Sequence, residues 1–161
     1  MSNPRVRLLF VCLGNICRSP TAEAVMRHLV KQRGLETEIL VDSAGTGDWH
    51  VGKSPDQRSA AVGLRRGVPL SGAARQVKPA DFERFDLLLA MDAANQRDLL
   101  ALAPTPQARD KVRLLRDFDA AGGTGQEVPD PYNGGAEGFD RVFDICLAAC
   151  EGLLDHVCKH S

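Results

Sequence analysis

The sequence predicts an α/β fold: a small four-stranded parallel sheet with helices on both faces. Three observations carry this. Val6–Val11 (VRLLFV) and Phe85–Met91 (FDLLLAM) are nearly continuous apolar runs, as strands buried on both faces are. Segments of helical periodicity separate the strand candidates, the pattern of parallel strands joined by right-handed crossovers. The chain has 161 residues, 43% hydrophobic and 25% charged, which is ordinary for a globular domain, so residues 1–161 are read as one domain.

The first strand runs into Cys12-Leu13-Gly14-Asn15, a turn-forming stretch. Ser19 is a suitable N-cap, Pro20 fits the first helical position and Glu23 the first turn. Ala22, Val25, Met26 and Leu29 then recur at helical spacing until Gly34. A second strand is expected over about residues 38–43 (EILVDS), followed by a glycine-containing stretch, Ala44–Ser54, and a short helix, Pro55–Arg66. After the third strand, Asp92 caps a helix to about Leu102, and Lys111–Leu115 supplies the fourth strand. Ala120–Gly125 is a flexible loop, and the prolines of Val128-Pro129-Asp130-Pro131-Tyr132 hold that stretch extended or turned. In the last helix, Phe139, Val142, Phe143, Cys146, Leu147, Cys150, Leu153, Leu154 and Val157 keep the i, i+3, i+4, i+7 rhythm. Sheets of this kind carry their sites at the carboxyl ends of the strands, which points at Cys12, Ser43 and Asp92.

Composition narrows the function. Twenty basic and 21 acidic side chains leave a net charge of −1, so there is no overall basic field for nucleic acid or an anionic membrane. The charge is uneven: residues 1–116 hold 18 basic and 12 acidic side chains, residues 117–161 hold 2 and 9. The positive front suits an anion site, or two solvated faces of opposite sign. No apolar run approaches the roughly 18 residues that span a bilayer, so a membrane or secreted protein is not expected. Five cysteines, at 12, 17, 146, 150 and 158, are odd in number and lack framework spacing, which favours a reducing cytoplasm and thiols used singly.

Cys12 and Arg18 lie six positions apart on the loop between a buried strand and a helix N-terminus. Backbone amides curled around a concave centre, with the positive end of the helix dipole, make an anion nest, and Gly14 and Asn15 tolerate the left-handed backbone it needs. Arg18 can close on the anion with two parallel hydrogen bonds, and the same field favours the thiolate of Cys12. Ser19 is placed to donate to that sulfur.

The run VCLGNICRSP resembles the phosphate-binding loop of the low-molecular-weight protein tyrosine phosphatases, in its bacterial form. The similarity continues through Ser43-Ala44-Gly45-Thr46, Trp49-His50, Phe85-Asp86, Met91-Asp92, Val128–Tyr132 and Gly138-Phe139. It implies that tyrosine-phosphorylated proteins are the substrates, with a cognate tyrosine kinase as a further partner. It implies also that Cys12 is the nucleophile and that Arg18 and the amides of Leu13, Gly14, Asn15, Ile16 and Cys17 bind phosphate. Asp130 would be the general acid and then the base for water; no metal or cofactor is needed. Trp49 and Tyr132, with Leu13, would wall the pocket, unless they are simply packing residues. Asn15 would hold the loop's shape, with Ser19, Ser43 and Asp92 in support, Asp92 either orienting Arg18 or only capping its helix. Cys17 would be a redox partner of Cys12 or a small packing residue.

The pattern departs from eukaryotic members at two places: Leu70–Arg75 lacks the histidine that supports the loop asparagine there, and Asn133 stands where a second tyrosine would. Cys146 and Cys150 read as core, Cys158 has no assigned role, and His156 with His160 has metal-like spacing in a terminal turn without carboxylate support. Three rivals compete. Gly47–Ser54 satisfies the nucleotide P-loop pattern, with Leu88–Asp92 as a strand ending in a magnesium-binding Asp, but Pro55 follows where a helix should start. An arsenate reductase on the same fold would need relay cysteines, and none lies between Cys17 and Cys146. A non-catalytic phosphotyrosine-binding module would not need Cys12, Arg18 and Asp130 together.

Overall fold

β1 (Val6–Cys12) occupies an inner position in a four-stranded parallel sheet of order β2-β1-β3-β4, with β2 at Ile39–Gly45, β3 at Leu87–Ala90 and β4 at Val112–Leu114. The structure, a computed structural model, describes residues 4–122, 125–132 and 134–159. Leu8–Val11 are wholly buried, which is why the run is apolar without alternation. Successive side chains of β1 feed two cores. Leu8, Phe10 and Cys12 join α1 (Arg18–Gln32) and α6 (Ala136–Lys159); Leu9 and Val11 join Phe82, Phe85, Leu99 and Ala108. Those four belong to α3 (Asp81–Arg84), its following residue, α4 (Ala93–Leu102) and α5 (Pro106–Asp110), so helices cover both faces as expected. Among the described residues, no helix is long and apolar enough to cross a membrane.

Several boundaries move, each for a local reason. The first helix begins at Arg18, with Cys17 at its cap and no side-chain cap bond, so Ser19 is not the N-cap. Its hydroxyl is engaged by Cys12 and Asn15 instead, and cannot also turn back to the helix amides. The second strand runs on to Gly45, leaving Ser43 inside it rather than at its end. The extension is held by Gly45 N–H donating to Arg75 O (2.8 Å) and Val77 N–H donating to Gly45 O (2.8 Å). α2 (Gln57–Arg65) starts later than expected because Asp56 caps it, accepting from Arg58 N–H at 2.8 Å. The helices α3 and α5, and a 3-10 turn at Leu115–Phe118, are too short for hydrophobic periodicity to register.

α6 approaches the 3-10 turn so closely at Gly152 that a Cβ there would fall on the Phe118 carbonyl oxygen, which cannot yield as a flexible side chain would. Gly152→Ala is therefore expected to destabilise the fold by about 1–3 kcal/mol, the usual cost of overpacking, despite alanine's better helix propensity; urea unfolding checks this.

Candidate active site

Cys12 is the last residue of β1, and the chain turns at Leu13–Cys17 directly into α1. The turn needs one left-handed residue, and Asn15 takes it with φ of 56°. Gly14 keeps a negative φ, contrary to its expected role. What requires glycine there is space, because a Cβ would sit 2.8 Å from His50 Cδ2. Gly45 is likewise pressed under the loop, its missing Cβ 2.8 Å from Leu13 O.

Neighbouring segments tie down the loop's carbonyls. Thr46 N–H donates to Cys12 O (2.9 Å), Gly47 N–H to Leu13 O (2.9 Å), Asp56 N–H to Ile16 O (2.8 Å) and Thr21 N–H to Cys17 O (3.3 Å). In a planar trans peptide the N–H points opposite to the C=O, so this outward bonding turns the amides of Leu13, Gly14, Cys17 and Arg18 to the inner side. Asn15 N–H points at the Cys12 sulfur, 3.3 Å away, and Ser19 Oγ lies 3.0 Å from the same sulfur. The result is a concave ring of donors around a thiol, beside a helix N-terminus.

Asn15 is itself fully engaged. Its Nδ2 donates to Ser19 Oγ (2.8 Å) and Ser43 Oγ (3.0 Å), while its Oδ1 accepts from Arg75 N–H (3.0 Å). Ser43 in turn donates to Glu23 Oε1 at 2.5 Å. Burial pushes the Glu23 carboxyl up from the ordinary carboxylate range, against the opposing pull of Ser43 and Arg27. Glu23 and Arg75 were not foreseen as parts of the site. An acid in the second turn of a helix and an arginine in a loop carry no signal for it, although the side chain of Glu23 is only 14% exposed.

Arg18 is 3% exposed and extends beneath the pocket. Its Nη1 donates to Asp92 Oδ2 (2.7 Å) and Val128 O (3.1 Å), and its Nη2 stands 3.8 Å from Asp130 Oδ2. Burial works against the guanidinium charge, but Cys12, Asp92 and Asp130 outweigh it and raise the pKa further. Asp92 does both jobs weighed for it: the second oxygen caps α4, accepting from Asn95 N–H at 2.8 Å. Val128 anchors the VPDPY stretch, donating its N–H to Met91 O at 2.7 Å. That leaves Asp130 two residues beyond a fixed point, at the pocket rim, where its Oδ1 accepts from Tyr132 N–H at 3.0 Å.

A cavity of about 310 Å³ opens above Cys12 and Arg18, walled by Leu13, Trp49, His50 and Tyr132 with Asp130 at its edge. His50 is a wall residue that the sequence reading did not assign. Trp49 (66% exposed) and Tyr132 (43% exposed) are not core packing. Tyr132 is flanked by Arg58, whose guanidinium carbon lies 5.4 Å from the ring centroid. Cys17 lines the same cavity, its thiol pushed up to about 12 by burial and by Asp56.

The rival motif does not form a nucleotide cradle. Gly47–Ser54 is a series of turns, the Trp49 ring covers Gly47, and Asp92 is spent on Arg18 and the α4 cap. Cys146 and Cys150 are buried in the core, and Cys158 is exposed. Among the described residues no group of three or more His, Cys, Asp or Glu could hold a metal ion; His156 lies against Phe118, and His160 and Asn133 are outside the described residues.

Residues 7–161 match the profile of the low molecular weight phosphotyrosine protein phosphatases. A low molecular weight protein-tyrosine-phosphatase of Streptomyces coelicolor is 50% identical over 149 residues, covering 92% of this chain and 91% of the relative. The human low molecular weight phosphotyrosine protein phosphatase is 40% identical over 149 residues, covering 92% and 93%. A crystal structure of protein tyrosine phosphatase from Entamoeba histolytica, with Hepes in its active site, superposes with a TM-score of 0.92 at 44% identity, covering 96% of this chain and 98% of that one.

The dual bonding of Asp92 can be separated experimentally. Asp92→Ala is expected to weaken inorganic phosphate binding, measured by titration calorimetry, and to cost about 1 kcal/mol for the lost cap; Asp92→Ser restores most of the stability but not the phosphate affinity.

Proposed function

The chain belongs to the low molecular weight phosphotyrosine protein phosphatase family and is a protein tyrosine phosphatase, within which we propose that Cys12 is the nucleophile, Arg18 with the loop amides holds phosphate, and Asp130 moves the protons. The observation that carries this reading is the ring of donors centred on the Cys12 sulfur with Arg18 fixed below it and Asp130 above.

The steps follow from that geometry. The thiolate of Cys12 attacks phosphorus in line with the phenolic oxygen, and the loop amides and Arg18 take up the charge on the three equatorial oxygens. As the P–O bond breaks, Asp130 gives its proton to the phenolic oxygen. A water then attacks the phosphocysteine, the Asp130 carboxylate takes the water's proton, and the S–P bond breaks to release inorganic phosphate and the thiolate. The Ser19 hydroxyl stabilises the sulfur as it leaves. Leu13, Trp49 and Tyr132 supply an apolar slot that favours a phenyl ring over a short alkyl chain. Tyrosine-phosphorylated proteins are the substrates, and the tyrosine kinase that forms them is the partner enzyme. The described cysteines are all free, in keeping with a reducing cytoplasm.

Cys17 lies in the same pocket and supports a protective redox role. Hydrogen peroxide would oxidise the Cys12 thiolate to a sulfenic acid, and the Cys17 thiol would then condense with it, forming a disulfide and releasing water.

Hydrolysis of p-nitrophenyl phosphate in EDTA tests the mechanism. Wild type is expected to turn over, Cys12→Ser to be inactive, and Asp130→Ala to lose about 10²–10⁴-fold in kcat, the usual worth of a general acid; full activity in Cys12→Ser would sink it. For the redox role, peroxide-treated wild type is expected to recover with dithiothreitol, whereas Cys17→Ala becomes irreversibly inactivated, with cysteine sulfinic acid visible by mass spectrometry.

A further inference from the structure

We propose that Glu23, a carboxylate outside the phosphate pocket, is a positioning residue for the phosphatase reaction: it fixes the direction of a hydrogen-bond chain that ends on the Cys12 sulfur. The argument is one of proton counting. The Asn15 amide nitrogen gives its two hydrogens to Ser19 Oγ (2.8 Å) and Ser43 Oγ (3.0 Å), so each serine oxygen accepts from Asn15 and must send its own proton elsewhere. Ser43 sends it to Glu23 Oε1, 2.5 Å away. For Ser19 the nearest acceptor is the Cys12 sulfur at 3.0 Å, ahead of Ala44 O at 3.5 Å.

A carboxylate only accepts, and this gives the chain its direction. Were the Asn15 amide to flip, its oxygen would need the proton that Ser43 gives to Glu23 or the one that Ser19 gives to Cys12, and its NH₂ would face the N–H of Arg75, donor against donor. Glu23 thus locks the amide from one side and Arg75 from the other. The other Glu23 oxygen is held by Arg27 Nη2 at 2.8 Å, which also donates to Val41 O at 2.7 Å, so the carboxylate is fixed between α1 and β2. Asp42 faces the same region, but Arg75 holds it at 3.1 Å, and it does not compete for Ser43. Glu23, Ser43 and Asn15 line a second cavity of about 190 Å³, separate from the one above Cys12, so Glu23 acts through the loop and not on substrate.

The sign of one measurement separates this role from that of a bystander charge. By charge alone, removing an anion near Cys12 favours the thiolate; by loss of an oriented donor from Ser19, it disfavours it. In p-nitrophenyl phosphate assays, Glu23→Ala is expected to lose about tenfold in kcat with KM nearly unchanged, the worth of about one hydrogen bond to a charged group. The pH midpoint of iodoacetate inactivation is expected to rise by about half a unit. Ser43→Ala is expected to do the same from the other end of the bond, and the double variant to lose no more than either single one. Glu23→Gln, whose carbonyl oxygen still accepts from Ser43, is expected to recover most of the loss. An unchanged kcat, a midpoint that falls, or multiplied losses in the double variant would overturn the proposal; should Glu23→Ala fail to fold, Ser43→Ala and Glu23→Gln decide. The inference rests on Cys12 being the nucleophile: an active Cys12→Ser refutes that reading, whereas an inactive Cys12→Ser beside an unaffected Glu23→Ala refutes only this one.

Discussion

The side-chain amide of Asn15 is the joint on which the functional end of the molecule turns. A loop of five residues between a strand end and a helix start must reverse quickly, and it does so through one left-handed residue. For most side chains that backbone costs about 1 kcal/mol or more, and asparagine tolerates it because its short amide can bond locally. Here the amide uses both donors and its acceptor, to Ser19, Ser43 and the Arg75 backbone, so a buried polar group is fully satisfied. Those bonds join the loop to α1, to β2 and to the segment beside β2, and each of these is in turn packed on the sheet.

Charge burial is the second constraint. An isolated guanidinium at the depth of Arg18 would cost several kcal/mol, and the structure offsets this locally with Asp92, the Val128 carbonyl and the thiol itself. One carboxylate oxygen of Asp92 holds Arg18 while the other caps α4, so the orientation of the buried guanidinium and the start of a helix are set by the same residue. Val128 plays a similar double part, since bonding to Met91 and Arg18 fixes the point from which Asp130 projects. The anion site therefore needs no broad basic surface, and the uneven charge along the chain has little to do with it.

What was legible in the sequence followed from short-range patterns. Buried strands announce themselves as apolar runs, the last helix as a 3.6-residue rhythm, and the loop as Cys-x5-Arg between them; Cys12, Arg18 and Asp130 stand out by residue type and place, and the fold brings all three to one cavity. The errors were of two kinds. Ser19 looked like a cap as well as a donor to Cys12, because local rules assign serine before proline the first role, and the folded loop keeps only the second, leaving the helix without a side-chain cap. Gly14 and Asn15 both looked like left-handed residues, and only Asn15 is one; at Gly14 a Cβ would press on a histidine 36 positions away in the chain. The short helices α3 and α5 escaped because a single turn carries too few apolar positions to show a period.

By itself, then, the sequence determined the chain order of the strands and longer helices, the burial of the central strands and the candidate groups of the site, since these depend on neighbours within a few positions. Only the tertiary structure added Glu23, Arg75 and His50 to the groups around them. Ser43 and Arg75 meet Asn15 across separations of up to 60 residues, Glu23 meets Ser43, and His50 closes the pocket wall, because the parallel sheet brings β1 and β2 into register and carries the turns beyond them to the same edge. A hydrogen bond depends on distance and direction in space, and neither is written in the spacing of residues along a chain.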